Sequence, residues 1–419
     1  MKKALILITI LLFMMIQPVE FVKADNWLEG WSYRKTHIIN PSSGAGEGYP
    51  IKVIVYYGFG SSYGNTVYLD GKCRADFGDI RFTASDGKTV LDYWLEEKVD
   101  KDFAVFWVKI KDNLDSEKTK IYIYFGNKEA SYDGNPNNVF IYFDDFEDLE
   151  GWNVEEGYGG DVYISDGILY LHVTDTQYSY ARIYRGSYGY DVAIRVKAEI
   201  PNAELQYYGM MGFFDGSGSA EYWKFAGSQN TVFFGFWDDA EVLRCKKDGT
   251  ITSVTWDLTN NVFKVFELRR RSDKVVVEEE EGNSETVTTN IPQNNLYLTL
   301  ALETNSPPHS KNLKVDWVLI RKYVEPEPSQ GEWGETEEYE SKMFNWLITW
   351  LSIILIVVLQ SVLYATRRFP PIISIILGFT TFIFCVYSLN LETALPFTPM
   401  FQFFIIMLSF TIMYLHLRR

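Results

Sequence analysis

The chain has 419 residues, with 39 Lys and Arg against 55 Asp and Glu for a net charge of −16, 47% hydrophobic and 16% aromatic residues. So aromatic and moderately charged a composition excludes a wholly disordered chain, and the acidic balance excludes a nucleic-acid partner, which would need clustered Lys and Arg to displace counterions. Three cysteines exclude a disulfide-stapled scaffold and a four-cysteine zinc site.

In chain order, residues 1–24 combine Lys2 and Lys3, an apolar run from Ala4 to Ile16, and Val22-Lys23-Ala24, the pattern of a cleaved secretory signal. Residues 25–130 then show short strand patterns: Tyr33–Ile39, Ile51–Tyr57, Ile80–Thr83, Leu91–Glu96, Phe103–Ile110 and Lys120–Phe125. Their large residues recur at strand period with no 3.6-residue stripe, and Asp70-Gly71 and Asp86-Gly87 supply turns. A small antiparallel β-sandwich fits this spacing. Trp31-Ser-Tyr-Arg-Lys, the run from Cys73 to Gly87, Leu91-Asp-Tyr-Trp-Leu-Glu, Phe106-Trp-Val-Lys-Ile and Ile121-Tyr-Ile-Tyr-Phe-Gly-Asn together resemble the domain-of-unknown-function family 2341 over residues 29 to 130. The resemblance implies an extracytoplasmic β module of archaeal and bacterial surface proteins, sometimes joined to proton-channel-type membrane components, and implies no activity.

Residues 131–324 open with Phe143-Asp-Asp-Phe-Glu-Asp-Leu-Glu-Gly-Trp152 and close with Val315-Asp-Trp-Val-Leu-Ile-Arg-Lys-Tyr323. Between them lie about a dozen strand-like runs, among them Ile168–Val173, Val192–Ile200, Thr231–Trp237, Val262–Arg270, Lys274–Glu281 and Tyr297–Glu303, and no helical segment. A two-sheet jelly roll suits so many strands. This block resembles the concanavalin A-like, laminin G-like family, which implies carbohydrate or protein binding.

Residues 325–343 carry Glu325, Glu327, Glu332, Glu335, Glu337, Glu338 and Glu340 among Pro326, Pro328 and Gly331, and read as an extended, self-repelling stalk. Residues 344–419 contain three runs, 344–365, 371–389 and 395–417, without an Asp, Glu, Lys or Arg, each long enough to span a bilayer as a helix. Arg367, Arg368, Arg418 and Arg419 fall on the side expected to be cytoplasmic, which leaves residues 25–343 outside with a charge of −21. The fold class expected is therefore an all-β ectodomain of sandwich and jelly roll with three C-terminal transmembrane helices.

A glycoside hydrolase on such a sheet needs paired carboxylates, commonly Glu-x-Asp-x-Glu on one strand, and no predicted strand carries that triplet. Glu278–Glu281 reads as a solvated hairpin tip. Gly60-Ser61-Ser62-Tyr63-Gly64 matches a nucleophile elbow in letters, but the strand pattern after it replaces the helix that an elbow requires. The four histidines lack ligand spacing, so a transition-metal site is not expected. Calcium is the one cofactor expected, because Asp144, Asp145 and Asp316 sit in the two end motifs and hard cations take carboxylate oxygens. For a sugar, an aromatic platform is required, and Tyr208, Trp223 and Trp237 are the candidate ligand-binding rings. The expectation is a non-enzymatic surface protein of a cell membrane or virion envelope, with the lipid bilayer and a glycan or surface protein as partners. A glycan-cleaving enzyme and a subunit of an energised membrane complex are the alternatives.

Overall fold

The computed structural model describes residues 26–216, 218, 224–305, 308–339 and scattered positions between 355 and 418. The chain divides into two compact units, one of them Tyr33–Thr336. In the other, the rings of Trp27 and Tyr339 meet at 5.5 Å and the Tyr339 amide donates to the Ser32 carbonyl. The predicted signal falls outside the described residues, and the three predicted spans do so for most of their length. Among the described residues no helix is long and apolar enough to cross a membrane.

Within Tyr33–Thr336 the fold is all β. Strands β1 (Tyr33–Ile39), β2 (Tyr49–Tyr56), β3 (Thr66–Tyr68), β4 (Arg81–Thr83), β5 (Tyr93–Val99), β6 (Phe103–Ile110) and β7 (Thr119–Phe125) build a first sandwich. One sheet runs β1-β7-β4 and the other β3-β2-β6-β5. The alternation of apolar residues along these strands puts Val53, Val55, Phe82, Phe106, Ile121 and Ile123 in the core between them. After the loop that holds Gly60–Gly64 the chain enters β3, a strand, and the Ser62 hydroxyl accepts from the Tyr68 amide.

The second sandwich contains β8 (Tyr142–Asp144), β9 (Asn153–Gly157), β10 (Asp161–Ser165), β11 (Ile168–Val173), β12 (Tyr180–Tyr188), β13 (Val192–Glu199), β14 (Tyr207–Phe214) and β15 (Thr231–Trp237). It continues with β16 (Ala240–Lys247), β17 (Thr250–Thr255), β18 (Phe263–Arg270), β19 (Val275–Glu279), β20 (Ser284–Val287), β21 (Leu296–Thr304) and β22 (Lys311–Lys322). One sheet has the order β10-β11-β22-β13-β18-β19-β20, with β8 beside β22, and the other β17-β16-β15-β14-β21-β12-β9. Ile194, Val196, Phe266 and Val318 of the first sheet meet Ile183, Met211, Phe234 and Leu300 of the second in one jelly-roll core.

An aromatic joint connects the two sandwiches. The four-residue helix Pro136–Val139, capped by Asn135, delivers Val139 and Phe140 to it. Trp94 packs edge-on against Phe140, Phe143 and Trp317 at 5.5, 5.1 and 5.4 Å. Beside the rings lies a buried ion lattice. Glu267 on β18 accepts from Arg321 on β22 at 2.6 Å, and Arg195 on β13 pairs with Glu96 on β5 at 2.6 Å and with Glu280 at 2.8 Å. Burial opposes the Glu267 charge, but the surrounding Arg321, Arg195 and Arg269 outweigh it and hold the carboxyl at about 2. A cleft of about 290 Å³ opens here, and its charged lining residues are held by one another.

Two expectations are corrected at this joint. Glu278–Glu281 does lie at the end of the β19–β20 hairpin, but only Glu281 is exposed; Glu279 accepts from the Thr259 amide, and Glu280 is shared by Arg195 and Lys52. The stalk is not an extended spacer through Thr336. Glu325 pairs with Lys274 at 2.5 Å, and Glu327 accepts from Arg321 at 2.8 and 3.0 Å and from the Tyr49 hydroxyl. The chain then adds a strand, β23 (Gln330–Trp333), to the free edge of β1, with His37 opposite Trp333. Trp333 stacks on the His37 ring at 3.7 Å and donates to the Gly64 carbonyl. Neutralisation by Arg and Lys, together with open backbone groups on an edge strand, is why an acidic Pro-containing segment packs here.

Replacing Trp333 by Ala should lower unfolding stability by about 2–4 kcal/mol in urea titration of the full-length chain, where a mere tether would give no change. Burial also holds the His37 ring down at about 4, against hydrogen bonds to the Gln330 side-chain oxygen and the Glu332 carbonyl that favour its charge. The unfolded chain therefore takes up this proton from about pH 6.5 while the folded chain resists until about 4. Stability should fall by about 3 kcal/mol as pH drops across that window, and His37→Gln should remove most of the slope.

Candidate functional site

The candidate site is the face of the β17-β16-β15-β14-β21-β12-β9 sheet that is turned away from the jelly-roll core. Strand register defines it, because residues directly opposite one another share a face. One row holds Tyr180, Glu303, Tyr208 and Trp237; the next holds Glu155, Arg182, Ala301, Met210 and Gly235; the next holds Tyr184, Thr299, Gly212, Phe233 and Arg244. Gly212 and Gly235 are required here. A Cβ on Gly235 would lie 2.1 Å from the Gly209 carbonyl oxygen, one on Gly212 would lie 2.2 Å from that of Val232, and Gly235 has φ of +140°.

Arg182 is the hub. Its Nε donates to Glu155 at 2.7 Å and its Nη1 to Glu303 at 2.8 Å, so one guanidinium bridges two carboxylates from the strands on either side of it. Arg182 and Glu303 are both fully buried. Glu155 also accepts from the Tyr184 hydroxyl at 2.9 Å and from Lys224. Burial raises the Glu155 carboxyl, yet the bonds from Lys224, Arg182 and Tyr184 outweigh it and hold the group below its ordinary value, hence ionised at neutral pH.

At the other end of the rows Tyr208 and Trp237 meet edge-on at 4.8 Å, with Trp237 partly exposed. Burial, with Asp238 beside it, raises the Tyr208 hydroxyl. The Arg244 guanidinium lies 3.7 Å from the centroid of the Trp237 ring. Two of the three rings named from sequence, Tyr208 and Trp237, thus come together, while Trp223 lies outside the described residues. Glu155, Arg182, Glu303 and Arg244 were missed. Their signal was a charged residue inside an otherwise apolar strand, as in Ala181-Arg-Ile and Leu302-Glu-Thr304.

The calcium expectation finds a different arrangement. Asp144 accepts from the Phe146 amide and Trp152 Nε1 at 2.9 and 2.8 Å and from the Tyr142 hydroxyl, Asp145 is exposed, and Asp316 pairs with Lys197 at 2.7 Å. Among the described residues no group of three or more His, Cys, Asp or Glu side chains is placed to hold a metal ion. Cys73 and Cys245 are buried and free, and burial pushes both thiols up to about 12.

Comparison with known proteins adds three findings. A family described as a domain of unknown function, DUF2341, matches residues 76–155. No curated protein matches the chain. Similar solved structures include a β-1,3-1,4-glucanase (lichenase) derived from a mouse hindgut metagenome, 14% identical over 43% of this chain and 98% of that one, with a TM-score of 0.35. The β-glucanase of Bacillus licheniformis is 14% identical over 43% and 97% at a TM-score of 0.35. An endo-β-1,3-glucanase from Pyrococcus furiosus is 15% identical over 44% and 95% at 0.34. The DUF2341 match begins within the first sandwich and ends in β9, whereas the sequence motifs placed that resemblance over residues 29 to 130. The expectation of a non-enzyme is also corrected: the similar structures are described as glucanases. On this sheet Glu155 and Glu303 come from different strands, and each accepts from Arg182.

Arg182→Met would leave two carboxylates, one of them fully buried, without their shared guanidinium. The expected loss is about 3–5 kcal/mol of unfolding stability in denaturant titration, against less than about 1 kcal/mol for Arg244→Met.

Proposed function

We propose that the chain is an extracytoplasmic glycan-acting protein, and that the saccharide is held on the outward face of the β17-β16-β15-β14-β21-β12-β9 sheet. The observation that carries this reading is the convergence on one face of an aromatic pair, Tyr208 and Trp237, with two carboxylates bridged by one guanidinium, Glu155 and Glu303 on Arg182. Aromatic faces stack on the apolar side of a sugar ring, while ionised carboxylates accept from its hydroxyls and a guanidinium donates to them. The charge-free runs within 344–417 are read as its membrane anchor, at a cell surface or a virion envelope.

Cleavage is the more demanding form of the same reading, and the cross-strand carboxylate pair favours it. Carboxylates on neighbouring nitrogens of one guanidinium fall within the range of roughly 5–10 Å that glycoside hydrolysis uses. Glu155, held ionised, suits the nucleophile or base.

The test is a glycan array followed by a reducing-end assay on the full-length chain, with β-glucans as the first substrates. Wild type should bind, and Trp237→Ala should weaken binding about tenfold. If cleavage operates, Glu155→Gln and Glu303→Gln should each reduce reducing-end release by at least about 100-fold. Absence of both binding and release across the array would overturn the reading.

A further inference from the structure

On this face, among the described residues, two cations stand without a hydrogen-bond or ion-pair partner in an acidic protein. Arg244 and Lys246 are alternate residues of β16 and project on the same side, opposite Phe233 and Thr231 of β15. Among the described residues neither makes a hydrogen bond or an ion pair, although the chain as a whole carries 55 acidic residues against 39 basic ones. Asp238 acts on Arg244 through space and Asp215 on Lys246, and neither forms an ion pair with them. Arg182, three strands beyond β15, is held by Glu155 and Glu303, and the arginines of the inter-sandwich joint are held by Glu96, Glu267, Glu280 and Glu327. Arg244 is therefore unlike the buried arginines of this molecule that pair with carboxylates.

Its setting is also ordered. The guanidinium stacks on Trp237, and the opposite neighbour on β17 is the small Ser253. Stacking fixes the plane of the guanidinium and leaves its N–H edges directed away from the ring, the geometry that receives a carboxylate or sulfate through two parallel bonds. Both cations are partly buried, and burial lowers each of them, with Arg244 adding to the effect on Lys246. A neighbouring anion relieves that penalty.

We propose that the saccharide held on this face is anionic, with a uronate carboxylate or a sulfate ester received by Arg244 and Lys246 while its ring lies beside Trp237. This rests on the glycan reading above and adds the charge class of the ligand. A neutral glycan would leave two partly desolvated cations without an ion-pair partner, whereas an anionic one pairs with them.

The test is calorimetric titration of the full-length chain with an oligoglucuronate, a sulfated oligoglucoside and the neutral oligoglucoside of equal length, each at low and physiological salt. At low salt one or both anionic probes should bind at least tenfold more tightly than the neutral one, and the advantage should shrink at higher salt. Tighter binding by oligoglucuronate identifies the carboxylate as the anion, and tighter binding by the sulfated probe identifies the sulfate. Arg244→Met should reduce anionic affinity about tenfold and leave neutral affinity within about threefold, and Lys246→Met should give a smaller loss of the same kind. Should Arg244→Met fail to fold, Lys246→Met and the salt dependence decide. Equal affinity for anionic and neutral probes, or equal weakening of both by Arg244→Met, would overturn the proposal and leave the glycan reading standing. Binding of none of the three would contradict the glycan reading, and this proposal with it.

Discussion

A single buried carboxylate, Glu267, is what the two sandwiches depend on. It lies between Arg321 at 2.6 Å and Arg195 at 3.8 Å, and each of these arginines reaches a different part of the chain. Arg195 extends to Glu96 in the first sandwich, and Arg321 to Glu327 in the returning C-terminal segment. Buried ion pairs carry a desolvation penalty that only complete hydrogen bonding offsets, so any one missing partner leaves a charge exposed to low dielectric. The neighbouring Trp94, Phe140, Phe143 and Trp317 cluster supplies the apolar burial that such a lattice cannot. Cost and compensation are thus concentrated at one place, where first sandwich, jelly roll and returning strand meet.

The jelly roll's two sheets carry separate tasks as a result. The sheet with β13, β18 and β22 faces the first sandwich through the ion lattice, and the sheet with β12, β14, β15, β16 and β21 carries the candidate site. Arg182 and Arg244 show the same division on a smaller scale. Arg182 is enclosed and bonded to carboxylates on both sides, while Arg244 rests on an indole with its N–H groups unassigned. Of the two arginines, Arg244 is the one whose N–H groups are open to a further anion.

Much of the fold was legible because strand alternation is local. Tyr33–Ile39, Phe103–Ile110, Ile168–Val173 and Thr231–Trp237 form strands over the same residues that their apolar periodicity marked. What composition could not convey was long-range pairing. Glu325–Trp333 has the charge and prolines of a spacer, yet its glutamates find Lys274 and Arg321, and its backbone finds the open edge of β1. The site failed to show for a related reason. A search along single strands for paired carboxylates misses Glu155 and Glu303, which are 148 positions apart and meet only through Arg182. Tyr208 and Trp237 were legible as rings, but their shared face depends on the β14–β15 register.

If the lattice around Glu267 joins the sandwiches into one cooperative body, their core amides must open together. Native-state hydrogen exchange on the full-length chain measures this directly. The account predicts a common opening free energy for β1, β6 and β7 and for β13, β18 and β22, with Arg321→Met lowering it for the first sandwich as well as for the jelly roll. Independent opening of the first sandwich in the wild-type chain, at a free energy more than about 2 kcal/mol below that of the jelly roll, would contradict it.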